Sequence, residues 1–519
     1  MSDRNRYGTW ILLGITVVLL ALCWGESSRV QSQPLSQPLS ELAEWSTPVS
    51  LSFPGGFSWF PDLTVDPTGS VHVVWCLTIP LEGRRGLREQ VAYARLRDTE
   101  WTSPNDIVPI SPDIVRNAIA SDARGNLHLI FGGSVYERGL SLYHQRAFMD
   151  DAWSAQAWSA PHLLNQGISY MGDIAIDTHN TIHVIYDDAI YRDDTGDAGW
   201  VVADIFYRRS DDGGAHWSRP IDIFPSPDTG SARLALEIDS RDTLHVTWDE
   251  GWDRLSGEGK PMFGGYTYST DGGETWAPTT IITHPDSTVA QLTVGSDGQG
   301  GVILVWRTTS QDEIFYQWSS DGGRSWGEPA ALPAVFARPW QTPFDMYDMA
   351  TDSAGNIHLL VVGREILDRN AELGIYHLVW DGSDWSRPTK VFSAVGSFPE
   401  YPRLVVHAGN QLHAAWFTRE GDIWDSTADR KVWYAEGQLD TPEQPVTLLP
   451  TFTPVPSTPT PTPYPTPTLF PTAHLGNTGL PNGLRTDHDD VLRLALALSP
   501  VVVLILGIAI LRKRWGRWR

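Results

Sequence analysis

A chain of 519 residues, 41% hydrophobic and 19% charged, carries enough apolar material for a large core, and its 24 Trp and 46 Gly point to packed aromatics and many turns. Its 38 Lys and Arg against 62 Asp and Glu give a formal charge of −24, which repels phosphate backbones and anionic headgroups and excludes nucleic acid as a partner of the main body. With two cysteines, Cys23 and Cys76, there is no disulfide framework, so packing must hold the fold.

The chain opens on an apolar run, Trp10–Trp24, behind Arg4 and Arg6, the pattern of a signal peptide or signal anchor over residues 1–25. A linker follows over 26–40. From 41 to 439 one pattern returns: "DPTGSVHVVW" at Asp66–Trp75, "DARGNLHLIF" at Asp122–Phe131, "DTHNTIHVIY" at Asp177–Tyr186, "DSRDTLHVTW" at Asp239–Trp248, "DGQGGVILVW" at Asp297–Trp306, "DSAGNIHLLV" at Asp352–Val361 and "HAGNQLHAAW" at His407–Trp416. Each copy is a Gly, Asn or Asp turn beside alternating β-branched and aromatic residues, which predicts a β-hairpin.

A second hairpin follows each first one. Its leading strand is marked by Tyr93, Tyr143, Tyr207, Tyr266, Tyr316, Tyr376 and Tyr434, and its outer strand by Trp101, Trp158, Trp217, Trp276, Trp326 and Trp385. Four strands, A to D, repeating every 55 to 62 residues, make one propeller blade. The seventh unit has no outer strand of its own, while "WSTP" at Trp45–Pro48 matches the outer strands of other units and has no A to C strands before it. The sequence therefore predicts an all-β, seven-bladed propeller of four-stranded antiparallel blades over 41–439, closed by an N-terminal strand added to the last blade.

Three C–D turns share one form: "SDDGGAHW" (Ser210, Asp212, Trp217), "STDGGETW" (Ser269, Asp271, Trp276) and "SSDGGRSW" (Ser319, Asp321, Trp326). Asp accepts turn amides, Gly supplies unusual φ angles and Trp packs on the blade, so the expected role is structural. These segments resemble the Asp boxes, or BNR repeats, of the sialidase superfamily. In that superfamily the boxes lie away from the active site, so the resemblance implies a fold without implying a reaction. His72, His128, His183, His245, His358 and His413 occupy one position in six units, and no single site needs so symmetric a set of bases. They too are expected to be structural, satisfied by neighbouring groups.

The B–C and D–A connections vary greatly and fall on the face opposite the short turns, so function is expected there. Aromatic and charged groups at a channel mouth suit a polyhydroxylated ligand, which makes Trp248, Trp306, Asp187 and Asp249 candidate binding residues. Arg307, Arg364 and Arg419 end the B strands of three consecutive units and form a candidate clamp for a carboxylate. The sialidase resemblance further implies a Tyr nucleophile with acidic partners, for which Tyr347, Asp348 and Glu250 are the candidates. The early Arg-Ile-Pro motif of that superfamily is absent. No cofactor is expected beyond a structural Ca²⁺, for which Asp193, Asp194 and Asp197 of "DDTGD" are the candidates.

Past the last unit, 440–490 is a Pro/Thr-rich stalk, including "TFTPVPSTPTPTPYPTPTLFPT". A transmembrane helix is predicted over 491–511, followed by a basic cytoplasmic tail, "RKRWGRWR", at 512–519. The expected arrangement is a single-pass cell-membrane protein with an extracellular propeller. Three functions stay open: a module binding extracellular glycans or polysaccharide, a sialidase-type exo-glycosidase, and a scaffold or assembly factor for a protein partner.

Overall fold

The computed structural model describes residues 44–450 apart from 54, 81–86, 109–113, 136–139, 166, 192–200, 227–228, 253–258, 341–343, 345, 394 and 422–427. The chain divides into two units, Met1–Thr451 and Phe452–Arg519. The expected signal segment, linker, transmembrane helix and tail, and the stalk beyond residue 450, lie outside the described residues. Among the described residues no helix is long and apolar enough to cross a membrane.

Seven antiparallel sheets follow one another along the chain. Their inner strands, A, are Phe57–Val65, Ile114–Ser121, Gly172–Ile176, Gly230–Ile238, Val289–Ser296, Asp348–Thr351 and Ser397–His407, for blades 1 to 7. Each packs against the next, and the seventh against the first, which closes the ring. Blade 7 takes its outer strand from the N-terminus: Val49–Ser50 pairs with Arg430–Gln438, Val49 opposite Tyr434. Blade 1 is the one five-stranded sheet, with Glu100–Trp101 and Asn105–Asp106 both pairing its C strand, Leu87–Arg97.

The repeated Trp explains how the blades lock. Each outer-strand ring sits edge-on against one ring of the preceding blade: Trp158 on Tyr93, Trp217 on His144, Trp276 on Tyr207, Trp326 on Tyr266, Trp385 on Tyr316 and Trp101 on Tyr434, with centroids 4.9 to 6.4 Å apart. Trp45 completes the set on His377 at 5.4 Å, its indole N–H 3.3 Å from Nδ1 of that histidine. Edge-to-face geometry adds to the area buried, so every blade boundary carries the same aromatic clasp.

The repeated His extends this clasp inward. His72, His183, His245 and His413 hold Nδ1 2.7 to 2.9 Å from the hydroxyls of Tyr93, Tyr207, Tyr266 and Tyr434. In five blades the other nitrogen faces the A–B turn carboxylate of Asp66, Asp122, Asp177, Asp239 or Asp352 at 3.0 to 3.7 Å. These histidines are structural, as expected. Tyr143 and Tyr376 lie on their leading strands, as expected. In blades 2 and 6 the clasp position belongs to His144 and His377, each one residue past Tyr143 and Tyr376, and they lie 3.1 and 2.9 Å from His128 and His358. Alternate strand residues point to opposite faces, so a shift of one residue exchanges the ring that meets the neighbouring blade.

The boxes build their turns as expected. In each, the Ser hydroxyl bonds the Asp carboxylate at 2.7 to 2.9 Å and accepts the N–H of the second Gly. The Asp accepts the N–H four residues on, from His216, Thr275 or Ser325.

Candidate functional site

Ten residues before each repeat position, the inner strands place Asp62, Ala118, Asp173, Ala235, Thr293, Asp348 and Arg403 at one level. Arg403 of blade 7 reaches blades 1, 3 and 6 from there, with nitrogens 2.7 Å from Asp62, 3.4 Å from Asp173 and 3.6 Å from Asp348. Contacts to blades on both sides and across the ring place this cluster on the propeller axis. Each Asp also accepts a backbone N–H of the next blade's inner strand, from Ile119, Leu236 or Leu404, at 2.7 to 3.0 Å. Toward the loop face, the Arg116 guanidinium lies 3.4 Å from the Phe60 ring centroid, with Phe344 and Tyr401 within 6.0 Å. Toward the turn face the next level carries Glu237.

Burial dominates the acids of this cluster. The Asp348 carboxyl is pushed up to about 6, partly offset by Arg403, and Asp173 is raised for the same reason. Glu237 is driven well above the ordinary range by burial and then by Asp348, Asp239 and Asp173. A cavity of about 90 Å³ lies among Asp173, Glu237, Thr293, Asp348 and Arg403. In the sequence these residues share a fixed offset of ten from the repeated position, whereas the paired loop charges lie elsewhere.

The residues singled out by sequence do not form one constellation. Asp348 is on the axis, whereas its neighbour Tyr347 is buried in a core with Val305, Val335 and Leu359. Arg307 donates to the carbonyls of Arg338 and Thr308, at 2.6 and 3.2 Å. Arg364 pairs with Asp312 at 2.6 Å, and Arg419 with Glu400 at 2.9 Å. Each of the three arginines is buried and engaged by its own protein partner. Glu250 accepts from the hydroxyls of Ser226, Thr229 and Ser231, and burial raises its carboxyl. Asp187 accepts from Ser169 and from the backbone N–H groups of Tyr170 and Met171, with burial pushing it up to about 7. Asp249 accepts from the Leu292 N–H and faces Arg233 at 3.4 Å. Asp187 and Glu250 staple the D–A segments, and Asp249 ties the inner strand of the next blade.

The reading of Trp248 and Trp306 as binding residues is corrected: both rings are fully buried, in the same core position as Trp75 and Trp416. A covered ring has no face left for a sugar. Asp193, Asp194 and Asp197 lie outside the described residues. Among the described residues, Asp177, His179 and Asp242 bring ligand atoms within 4.8 Å of one another on the turn face, where Asp242 also accepts the Thr178 N–H and hydroxyl.

Exposed apolar side chains occur on both faces: Trp252 and Met262 on the strands flanking the B–C connection of blade 4, Ile366 and Leu367 in that of blade 6 and Val395 between blades 6 and 7 on the loop face, and Trp153, Val446, Leu448 and Leu449 on the turn face. Both ends of the described residues lie on the turn face. Trp45 enters opposite Gly437, at the turn end of blade 7. The exit segment crosses the A–B turns, with the Gln444 N–H on the Ala408 carbonyl and the Leu449 N–H on the Ala123 carbonyl, both at 2.7 Å.

No curated protein matches the chain. Among solved structures it is similar to a Dyadobacter fermentans protein of unknown function, at 13% identity over 76% of this chain and 99% of that one, with a TM-score of 0.47. It is also similar to the NanB sialidase of Streptococcus pneumoniae, at 13% identity over 80% and 72% of the two chains, with a TM-score of 0.42. A polysaccharide lyase of family PL25, an ulvan lyase, gives 12% identity over 75% and 93%, with a TM-score of 0.48. The BNR repeat-like domain model matches residues 145–414, from the C strand of blade 2 to the B strand of blade 7, and the chain belongs to this BNR repeat-like family.

Proposed function

We propose that the protein is an exported recognition propeller, held at the cell surface by its C-terminal apolar span, that binds a glycan chain on its loop face. One observation carries this reading: both ends of the described residues lie on the turn face, while Trp252, Met262, Ile366, Leu367 and Val395 stand exposed on the other. A tether at either end leaves the loop face open to ligand. An exposed indole such as that of Trp252 stacks on a sugar face, and Glu365 and Arg369, also exposed, offer hydrogen bonds to hydroxyls.

A second reading, glycoside hydrolysis, takes support from the Asp348 carboxyl at about 6, a value suited to proton transfer. The axial cavity of about 90 Å³ holds a few waters and no sugar ring. Recognition without turnover is therefore the better-supported function. The purified full chain, applied to a glycan array and to fluorogenic glycosides, is expected to bind a defined set of glycans without hydrolysis, with Trp252→Ala weakening the binding. Hydrolysis lost in Asp348→Asn would install the enzyme reading. Silence toward every glycan, with a protein partner captured through the same face, would install the scaffold reading.

A further inference from the structure

The axial cavity holds more negative charge than its contacts account for. Asp173, Glu237 and Asp348 line it with one cation, Arg403, which Asp62 also engages at 2.7 Å, so three negative charges against one positive leave a formal −2 along its wall. Asp173 already accepts the N–H groups of Ile174 and Leu236, and Oδ2 of Asp348 accepts that of Leu404. Oδ1 of Asp348, the Thr293 hydroxyl and the whole Glu237 carboxylate line or face the cavity, and none takes a hydrogen bond from another described residue.

Glu237 is the odd member of its level. Its counterparts around the axis are Thr64, Ala120, Ala175, Gly295, Ala350 and Val405, so the repeat has no structural use for a carboxylate there. This side chain is part-buried and lines the cavity. A part-buried carboxylate that takes no hydrogen bond from another described residue, beside two others, calls for a counter-charge.

We propose that the axial cavity is a site for a hard divalent cation, Ca²⁺, held by the carboxylates of Glu237 and Asp348 and the hydroxyl of Thr293, with the Asp173 charge behind them. An all-oxygen donor set selects Ca²⁺ or Mg²⁺ over softer metals. The cavity, about 90 Å³, has room for an ion with several waters, which suits the high and flexible coordination number of Ca²⁺. These ligands come from blades 4, 5 and 6, so the ion cross-links inner strands that no disulfide joins. The site is separate from the loop face and does not depend on the glycan reading.

Protons compete for the same oxygens, so the test is run at pH 8 on full-length protein stripped with a chelator. CaCl₂ is titrated by calorimetry and by thermal unfolding, beside Glu237→Gln, which removes the charge and keeps the shape. Wild type is expected to bind and to melt at a higher temperature as Ca²⁺ rises, and the variant to bind at least about tenfold more weakly. Should that variant fail to fold, Thr293→Val makes the same comparison at the neutral ligand. A response that the variants share would place the ion elsewhere and overturn the proposal. So would a melting temperature that rises on acidification yet ignores Ca²⁺, because protons would then be what neutralises the cluster.

Discussion

Gly273 stands at φ +82° in the second box, where a Cβ would meet the Tyr207 ring of the preceding blade at 2.2 Å. The same holds for Gly323 against Tyr266 and Gly214 against His144. The second box glycine is therefore required twice over, by its backbone angle and by the clasp. Gly273→Ala is expected to destabilise by about 2 kcal/mol or more, read from denaturant unfolding, whereas Ala at the open position of Gly382 tests the angle alone and should cost about 1 kcal/mol. His407 makes a complementary case. It occupies the turn position that Asp holds in the other six copies, and burial, with the His407 charge second, holds His413 down at about 4. His407→Asp would supply the carboxylate that the other blades use, and is expected to raise the His413 pKa by NMR titration and to stabilise by about 1 kcal/mol. A lower His413 pKa in that variant would mean that the turn cannot accept the repeat's own solution.

At the scale of elements, closure rests on a very short outer strand. Val49–Ser50 gives few ladder bonds, and Ser46 and Leu51 extend them by donating to the carbonyls of Glu436 and Val432. The Trp45 ring on His377 supplies the rest. Trp45→Ala is expected to cost about 2–4 kcal/mol by calorimetric unfolding, while Trp153→Ala, exposed and outside the clasp, should stay within about 0.5 kcal/mol. Equal effects would remove Trp45 from the closure. This strand was legible in the sequence because Trp-Ser/Thr-x-Pro recurs at a fixed place in the blade, and the period survives loops of very different length. Period alone does not say which face a residue takes within a strand. Hence the repeated Tyr does not reveal that His144 and His377 carry the clasp in blades 2 and 6, nor does the period show that Trp248 and Trp306 fill the core. The axial cluster was hidden for another reason: its members lie in different blades and meet only when the ring closes.

The whole molecule combines three sets of titrating groups whose effects oppose one another. Asp348, at about 6, and Glu237 and Asp173, also raised, are penalised when charged in the fold, so their cost is present at high pH and fades as pH falls toward ordinary carboxylate values. His72, His183 and His413 are held below 6.5, the last to about 4, chiefly by burial. The unfolded chain takes up protons at these sites first, so stability is lost as pH drops from about 6.5 toward 4. The turn carboxylates Asp66 and Asp239 sit at about 2, although burial alone would raise them, because bonds to His and to neighbouring turn groups outweigh it. Their contribution is present above about 4 and is lost below it. With divalent ions chelated, mild acidification from pH 8 therefore relieves the axis before the histidines begin to oppose it, and the melting temperature is expected to peak on the acid side of neutrality, between about pH 5.5 and 6.5. Glu237→Gln removes one of the penalised charges, so it should melt higher than wild type at pH 8, with the difference shrinking toward pH 5. A scan of melting temperature against pH for both proteins checks this, and a difference that does not change with pH would show that Glu237 carries no buried charge in the folded ring.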